Sequence, residues 1–231
     1  QKSKFKRLIV GPNIANNPFE FNNLLLHKSI DTLLVPSHTI KIYYENFLKE
    51  SNIKKKIIIW PAYPTDIKKS NKIILKNIPN FLIYLKDKKN LSYLSNKIKK
   101  IISQKEISCF EIIYGQYKKE DFYNYLKRAT HLIFLGNAES QCIAQFEGYL
   151  HNVELLILES ARYKSPNELA FIFPNYLGVC SPWSELLSAK IFYQHFELID
   201  YLNKIDKRKI NFNKAKNLKE NIFDLYKIIS Q

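Results

Sequence analysis

Two glutamates stand eight residues apart in the stretch "ESQCIAQFE", residues 139–147. Glu139 precedes a segment, 140–151, whose apolar residues recur at helical spacing. It therefore lies where the first backbone N–H groups of a helix have no intrahelical partner and attract anions. A carboxylate at this place caps the helix. Alternatively, a ligand's phosphate takes the N–H groups and Glu139 holds a neutral sugar.

Glu147 lies inside the segment, where Ile143, Phe146 and Leu150 form an apolar stripe that we expect to face a sheet. Glutamate is almost never fully buried without a partner, because an unpaired buried charge is costly. Two interpretations have equal weight. Glu147 is an edge residue or the partner of a Lys or Arg, or it is a carboxylate at a cleft wall that accepts hydrogen bonds from ligand hydroxyls.

Short apolar runs alternate with helical patterns along the chain, which predicts an α/β fold with a doubly wound parallel sheet. The predicted strands are 7–11, 31–37, 56–61, 81–86, 109–115, 131–136 and 153–159. The predicted helices are 37–50, capped by Ser37, then 91–104, 119–129, 140–151 and 217–230.

Two prolines and a polar Lys/Ser/Asn segment interrupt this rhythm in "WPAYPTDIKKSNKI", residues 60–73, and predict a linker. We therefore divide the chain into three parts. These are a first Rossmann-like part over 1–65, a ligand-binding Rossmann-like domain over 66–190, and C-terminal helices over 191–231.

The 231 residues carry a formal net charge of +15, which favours nucleic acid or an anionic membrane as a partner. The positive charge is overwhelmingly lysine, however, whereas nucleic-acid readers depend on arginine, and no RNA-binding motif or zinc knuckle is present. AT-rich codon usage explains the excess of Lys, Ile and Asn. We therefore expect no nucleic-acid partner.

The sequence contains no apolar run long enough for a membrane span and no recognisable signal peptide, so we expect a cytoplasmic location. It begins with Gln and contains no Met, which indicates a start inside a longer protein. The three cysteines, Cys109, Cys142 and Cys180, have no metal-ligand spacing, and we expect reduced thiols and no bound metal.

Ligands of open α/β sheets bind beyond the carboxyl ends of the strands, and the residues there are chemically distinctive. Lys86 follows one predicted strand, Gly115 and Tyr117 follow the next, and Glu139 follows the third. Cations at one strand end and carboxylates at another suggest a ligand with both phosphates and hydroxyls.

The spacing from Glu139 to Glu147 resembles the E-x7-E motif of the retaining glycosyltransferases of family 4, also called group 1, which have the GT-B fold. The segments "IVGPNI" (9–14), "LLVPSHTIKIYYEN" (33–46), "IIIWPAYPTD" (57–66) and "YGQYKKEDFYNYLKRATHLIFLGNAESQ" (114–141) follow that family's order. The resemblance covers nearly the whole chain and implies that most of the N-terminal domain is missing.

The resemblance implies an enzyme that transfers a sugar from a nucleotide-sugar donor to an acceptor with retention of configuration, without a metal or another cofactor. Glu139, as the catalytic residue, would contact the donor sugar, and Glu147 would hold the ribose hydroxyls. Lys86 would pair with phosphate. The residues that would bind the diphosphate, sugar and base are Ser140, Gln141, Cys142, Ile143, Gly115 and Tyr117. The implied partners are a glycan or lipid-linked acceptor and, peripherally, the inner face of a membrane.

Three positions depart from the family pattern. Cys142 stands where glycine is usual, Gly148 stands where alanine is usual, and Asn152-Val153-Glu154 lacks the usual proline. These departures, together with the missing upstream part, keep a non-catalytic nucleotide-sugar-binding relative as an alternative. Nucleotide-sugar epimerases and a basic nucleic-acid-binding domain are the weaker rivals.

Overall fold

The computed structural model describes residues 7–11, 20–60, 80–136, 142–159 and 187–206. Contacts between Cα atoms divide the chain into two compact units. Of the described residues, those up to 60 belong to the smaller unit and those from 80 onward to the larger unit. The predicted linker lies, beyond Trp60, outside the described residues.

The smaller unit contains a parallel sheet with the order β1-β2-β3. Its elements are β1 (Ile9–Val10), α1 (Glu20–Asn23), a 3-10 turn (Leu24–Leu26), β2 (Thr32–Val35), α2 (His38–Glu50) and β3 (Lys56–Ile59). The predicted cap of α2 is confirmed, because the Ser37 hydroxyl accepts a hydrogen bond from the Ile40 N–H at 3.4 Å. Tyr43, Tyr44 and Phe47 of α2 pack against β2 in a buried core.

The larger unit contains five parallel strands, β4 (Asn80–Leu85), β5 (Ser108–Ile113), β6 (His131–Leu135), β7 (Glu154–Leu158) and β8 (Lys190–Phe192). Their order is β5-β4-β6-β7-β8. The chain goes from β4 to β5 on one side and then crosses to β6 on the other. Counted within the unit this is 2-1-3-4-5, one of the two common doubly wound orders, and its ligand crevice lies at the carboxyl ends of β4 and β6.

Helices cover both faces of this sheet. Leu91, Leu94 and Ile98 of α3 (Lys88–Gln104) share one core with Leu198 and Leu202 of α6 (His195–Lys204). On the opposite face, α4 (Lys119–Arg128) and α5 (Ile143–Leu150) pack through Phe122 against Tyr84, and through Gly148 against Leu132. The predicted fold class, α/β with a doubly wound parallel sheet and a second Rossmann-like unit, is confirmed.

The structure corrects three predicted boundaries. The strand β8 was not predicted, and the boundary drawn after residue 190 falls inside it. Three residues in a strand carry too little periodicity to be recognised from sequence. Helix α3 begins at Lys88, three residues before the predicted start, because the Asp87 carboxylate caps it by accepting from the Asn90 N–H. Helix α5 begins at Ile143, and the predicted helix 217–230 lies outside the described residues.

Candidate functional site

Lys86 stands at the point where the strand order of the larger sheet reverses. Its backbone N–H donates to the Leu135 carbonyl oxygen at 2.7 Å, which fixes the end of β4 against the end of β6. Its Nζ atom lies 5.0 Å from the centroid of the Tyr114 ring, just past β5, in a cation–π contact. Because 56% of Tyr114 is exposed, this contact presents a cation and an aromatic surface together at the carboxyl ends of β4 and β5.

Two further tyrosines, Tyr84 and Tyr117, contribute hydroxyl groups next to this surface. The hydroxyl oxygens of Tyr84, which is buried on β4, and Tyr117 lie 2.9 Å apart. A turn closed by a hydrogen bond from the Gln116 N–H to the Ile113 carbonyl leads from β5 to Tyr117, and Gly115 supplies the positive φ of 77° in this turn. Burial raises the pKa of Tyr117, and the charge of Glu147 raises it further.

Glu147 is only 5% exposed, so its prediction inside a buried stripe is confirmed. The Tyr123 hydroxyl on α4 donates to Glu147 Oε1 at 2.7 Å. Burial raises the pKa of Tyr123 to about 12, and its hydrogen bond to the Glu147 carboxylate contributes to that rise. A tyrosine hydroxyl thus contacts this carboxylate, for which the sequence had left open an edge position, a Lys or Arg partner, or a place at a cleft wall.

Helix α5 approaches the sheet unusually closely at Gly148. A Cβ atom at this position would lie 2.8 Å from Leu132 Cδ2 on β6 and 2.9 Å from Leu155 Cδ2 on β7. Both distances are shorter than an ordinary van der Waals contact between two carbon atoms, so a Cβ atom would clash here. Glycine at position 148 therefore has a packing reason, since it lets the helix that carries Glu147 lie directly on β6 and β7.

Cys142 begins α5 in a left-handed conformation, with φ 50° and ψ 43°, and it is 2% exposed. Glycine adopts this conformation without a steric penalty, whereas a residue with a Cβ atom is strained in it. The chain thus begins α5 with a backbone conformation that suits glycine, and it places a cysteine there. Cys142 and Cys109 are free thiols, and burial raises the pKa of Cys109 to about 12, which keeps it protonated and unreactive.

Ile143 was expected to face the sheet, and this expectation is wrong because 39% of the residue is exposed. It is the first residue of α5, beyond the carboxyl ends of the strands, and the sheet does not cover it. The buried face of α5 is instead formed by Ala144, Gln145, Phe146, Glu147, Gly148 and Leu150. Helix α5 is therefore buried over most of its surface and not only along one apolar stripe.

The structure brings several predicted site residues together. Lys86 contacts the Tyr114 ring, Tyr117 contacts Tyr84, and the charge of Glu147 reaches Tyr117. Cys142 and Ile143 open the helix that carries Glu147. The predicted catalytic residue Glu139, together with Ser140 and Gln141, lies outside the described residues, so their roles stay predictions.

Sequence reasoning did not identify Tyr84 and Tyr123 as site residues. Tyr84 stands in an apolar strand and resembles a core aromatic until its hydroxyl is seen against Tyr117. Tyr123 directly follows the core residue Phe122 on α4, and no sequence spacing relates it to Glu147 on another helix. Only packing of α4 beside α5 brings these two side chains together.

A second charged cluster, which we call the amino-edge cluster, lies at the opposite ends of the strands. The buried His131 ring stacks on Phe81 with 4.4 Å between centroids, and its Nε2 lies 3.4 Å from Glu154 Oε2. Lys190 lies 3.3 Å from the other oxygen of Glu154 and donates to the Tyr201 hydroxyl at 3.0 Å. Hydrogen bonding to His131 holds the pKa of Glu154 at about 2. The sequence did not suggest this cluster.

Lys86, Tyr114, Tyr117, Tyr84, Tyr123 and Glu147 combine one cation, aromatic rings, hydroxyl groups and a carboxylate. The exposed ring offers a stacking surface, the ammonium group attracts phosphate, and hydroxyls and carboxylate form hydrogen bonds with a polyol. No group of three or more His, Cys, Asp or Glu residues among the described residues is arranged to hold a metal ion. In the same part of the chain, no helix has the length and apolar character required to cross a membrane.

Comparison with known proteins identifies no family. No family model and no curated protein matches the sequence. Among solved structures, a chain of a GtfA/B complex is similar over 87% of this chain and 42% of its own length, with 12% identity and a TM-score of 0.43. A diflavin flavoprotein A3 from Nostoc sp. is similar over 66% of this chain and 94% of its own, with 12% identity and a TM-score of 0.32. At these scores neither likeness carries an argument about activity.

Proposed function

We propose that the larger unit binds a nucleotide sugar and that the protein is a glycosyltransferase. The observation that carries this proposal is Glu147, a buried carboxylate on the helix that follows the carboxyl end of β6. It accepts from Tyr123, and its charge acts on Tyr117, which follows the carboxyl end of β5, at the edge where doubly wound sheets bind ligands. Glu147 accepts a hydrogen bond from the Tyr123 hydroxyl, and the hydroxyls of a ligand are donors of the same kind.

Each group in this proposal has a separate task. Lys86 pairs with the diphosphate, the Tyr114–Tyr117 turn lines the base, and Glu147 accepts hydrogen bonds from the ribose hydroxyls. Glu139 contacts the donor sugar, and the backbone at the start of α5 meets the diphosphate. Cationic and N–H groups that face a leaving diphosphate stabilise the charge that develops on it, which is why the reaction needs no metal in this scheme.

Transfer proceeds to a glycan or a lipid-linked acceptor with retention of configuration. Two units of Rossmann-like type in one chain are the components of a GT-B enzyme, in which the second unit carries the acceptor side. The proposed location is the cytoplasm, with peripheral contact at the inner membrane face through lysines. The outer face of α3 carries exposed Lys89, Lys97 and Lys100 for this contact, beside Tyr93, which is 81% exposed.

Nucleotide binding is tested by thermal unfolding of the chain with UDP, GDP and ADP. We expect one of them to raise the midpoint in the wild type and Glu147→Gln, which keeps the shape of the side chain, to abolish the rise. Glu111→Gln is the matched control. Glu111 is also a partly buried carboxylate that accepts from a serine hydroxyl, on the other face of the sheet, so this variant should respond like the wild type.

An absence of any shift with all three nucleotides, or an equal loss in both variants, would refute donor binding through Glu147. Lys86→Ala tests whether the nucleotide that raises the unfolding midpoint binds next to Lys86. This variant should weaken binding of the nucleoside diphosphate more than binding of the nucleoside, because only the diphosphate carries the charge that Lys86 faces.

A non-catalytic nucleotide-sugar-binding protein is the second candidate, and Cys142 favours it. Its Cβ atom stands at the start of α5, where glycine would let the backbone approach a ligand. Binding without release of nucleotide from any nucleotide sugar, in the presence of a glycan acceptor, would support this candidate. Release of the nucleotide with formation of a product of retained configuration would support the enzyme.

A further inference from the structure

The smaller unit contains a cavity of about 780 Å³ at the amino ends of its strands. It lies between the segment that leads into β2, the last turns of α2 and the segment that leads into β3. This is the edge opposite to the one at which doubly wound sheets ordinarily bind ligands. Its volume falls in the range of small-molecule sites, about 300–1,000 Å³.

Lysines dominate the charge around this cavity, which we call the lysine pocket. Its charged lining residues are Lys28, Lys49, Lys54, Lys55, Lys56, Asp31 and Glu45. Both carboxylates have partners in the smaller unit. Asp31 Oδ2 accepts from the Leu8 N–H at 2.9 Å, and Glu45 Oε1 lies 3.7 Å from Lys41 Nζ. The lining nevertheless keeps an excess of positive charge, because five lysines stand against these two carboxylates.

Lys55 has a structural task in the lysine pocket. Its ammonium group donates to the carbonyl oxygens of His27 at 2.8 Å and Ile30 at 2.7 Å, and so it ties the two segments at the mouth together. Burial lowers the pKa of Lys55, and the nearby charge of Asp31 opposes this effect. Lys55 therefore stabilises the lysine pocket through its hydrogen bonds to the backbone.

The other four lysines of the lysine pocket do not have a structural task of this kind. Within the described part of the chain, the ammonium groups of Lys28, Lys49, Lys54 and Lys56 make no hydrogen bond or ion pair. Like charges gathered around one cavity repel each other, and an anion among them replaces that repulsion with attraction. Such a group of amines favours a ligand with at least two negative charges.

The floor of the pocket is apolar. It is formed by Leu26, Ile30, Leu48, Ile53 and Ile57. A bare inorganic anion gains nothing from these side chains, whereas a ligand with a hydrocarbon part removes apolar surface from water. A nucleic-acid backbone is also a poor match, because it requires an extended basic track, whereas these lysines surround an apolar floor.

We propose that the lysine pocket binds a phosphorylated small molecule that carries an apolar portion, with the phosphate among the four lysines and the apolar portion on the floor. Lysine is a common phosphate ligand and offers its charge without a demand for bidentate geometry. This site is separate from the proposed nucleotide site in the larger unit and does not depend on it.

The test is isothermal titration calorimetry of the full chain with three soluble probes. These are dihexanoyl phosphatidic acid below its critical micelle concentration, inorganic pyrophosphate and dihexanoyl phosphatidylcholine. We expect the phosphatidic acid to bind at least tenfold more tightly than pyrophosphate and the zwitterionic lipid not to bind. Lys54→Gln/Lys56→Gln should weaken phosphatidic acid binding at least tenfold.

The matched control is Lys127→Gln/Lys204→Gln, which removes the same charge from the last turns of α4 and α6 in the larger unit. It should change the affinity less than twofold, and both double variants should unfold at the wild-type midpoint. Equal weakening in both would overturn the proposal, because bulk charge would then explain binding. Failure to bind monomeric phosphatidic acid, with binding only to phosphatidylglycerol vesicles or to DNA, would also overturn it.

Discussion

The two edges of the five-stranded sheet use polar residues in opposite ways. At the amino edge, His131 and Lys190 both contact Glu154, and these contacts lower the pKa of Glu154 to about 2. At the carboxyl edge, Lys86 lies over an exposed tyrosine ring, and Cys142 holds a left-handed conformation. Mutual pairing stabilises the fold, whereas backbone strain together with a cation and an exposed aromatic ring at a crevice is typical of ligand sites.

The difference suggests that substitutions at the two edges have separable effects. Changes in the amino-edge cluster should reduce the free energy of unfolding and leave nucleotide binding intact. Changes at the carboxyl edge should weaken nucleotide binding and leave the free energy of unfolding nearly unchanged. Because all these residues belong to one unit, a single unfolding transition serves as the common scale.

The largest expected effect is that of His131→Ala. It removes a buried ring that stacks on Phe81 and deprives Glu154 of the partner that lowers its pKa most. We expect the free energy of unfolding to fall by about 3 kcal/mol, as for other buried ring deletions and broken ion pairs. Urea unfolding measures it. Lys86→Ala, at the other edge, should cost less than about 1 kcal/mol, and a larger loss there would contradict the comparison.

Cys142 allows the strain at the carboxyl edge to be measured. Cys142→Ala and Cys142→Gly both remove the sulfur, but only the glycine variant also removes the Cβ atom that the left-handed conformation disfavours. We expect the glycine variant to be the more stable of the two by about 1 kcal/mol in urea unfolding. An alanine variant of equal or greater stability would show that α5 begins without strain.

The smallest expected effect is a pH dependence from Glu154. Its pKa in the folded protein, about 2, lies below the usual 4.5, so its charge stabilises the fold above pH 4.5 and this contribution is lost as the pH falls toward 2. Because 42% of the side chain is exposed, solvent screens the effect to about 1 kcal/mol.

Glu154→Gln tests this dependence. The variant should be less stable than the wild type at pH 7, and the difference in free energy of unfolding should narrow between pH 4.5 and pH 3. A difference that stays constant over this range would assign the loss to packing and not to charge.

Much of the fold was predictable because it rests on local periodicity. The apolar runs at 81–86, 131–136 and 153–159 are the central strands, and helical spacing located α2, α3 and α4. Helical spacing also placed Glu147 in a buried stripe. It misplaced Ile143, because periodicity does not indicate where a sheet ends and ceases to cover a helix.

The sequence by itself determined the α/β class, the burial of Glu147 and the lysine excess, since each follows from residue types at short separations. The tertiary structure decided which side chains contact one another. Tyr123 meets Glu147 across 24 residues, and Lys190 meets Glu154 across 36. Such pairs depend on the order in which parallel strands assemble and on which helices become neighbours. That order is fixed by the packing of the whole sheet, and no short segment contains it.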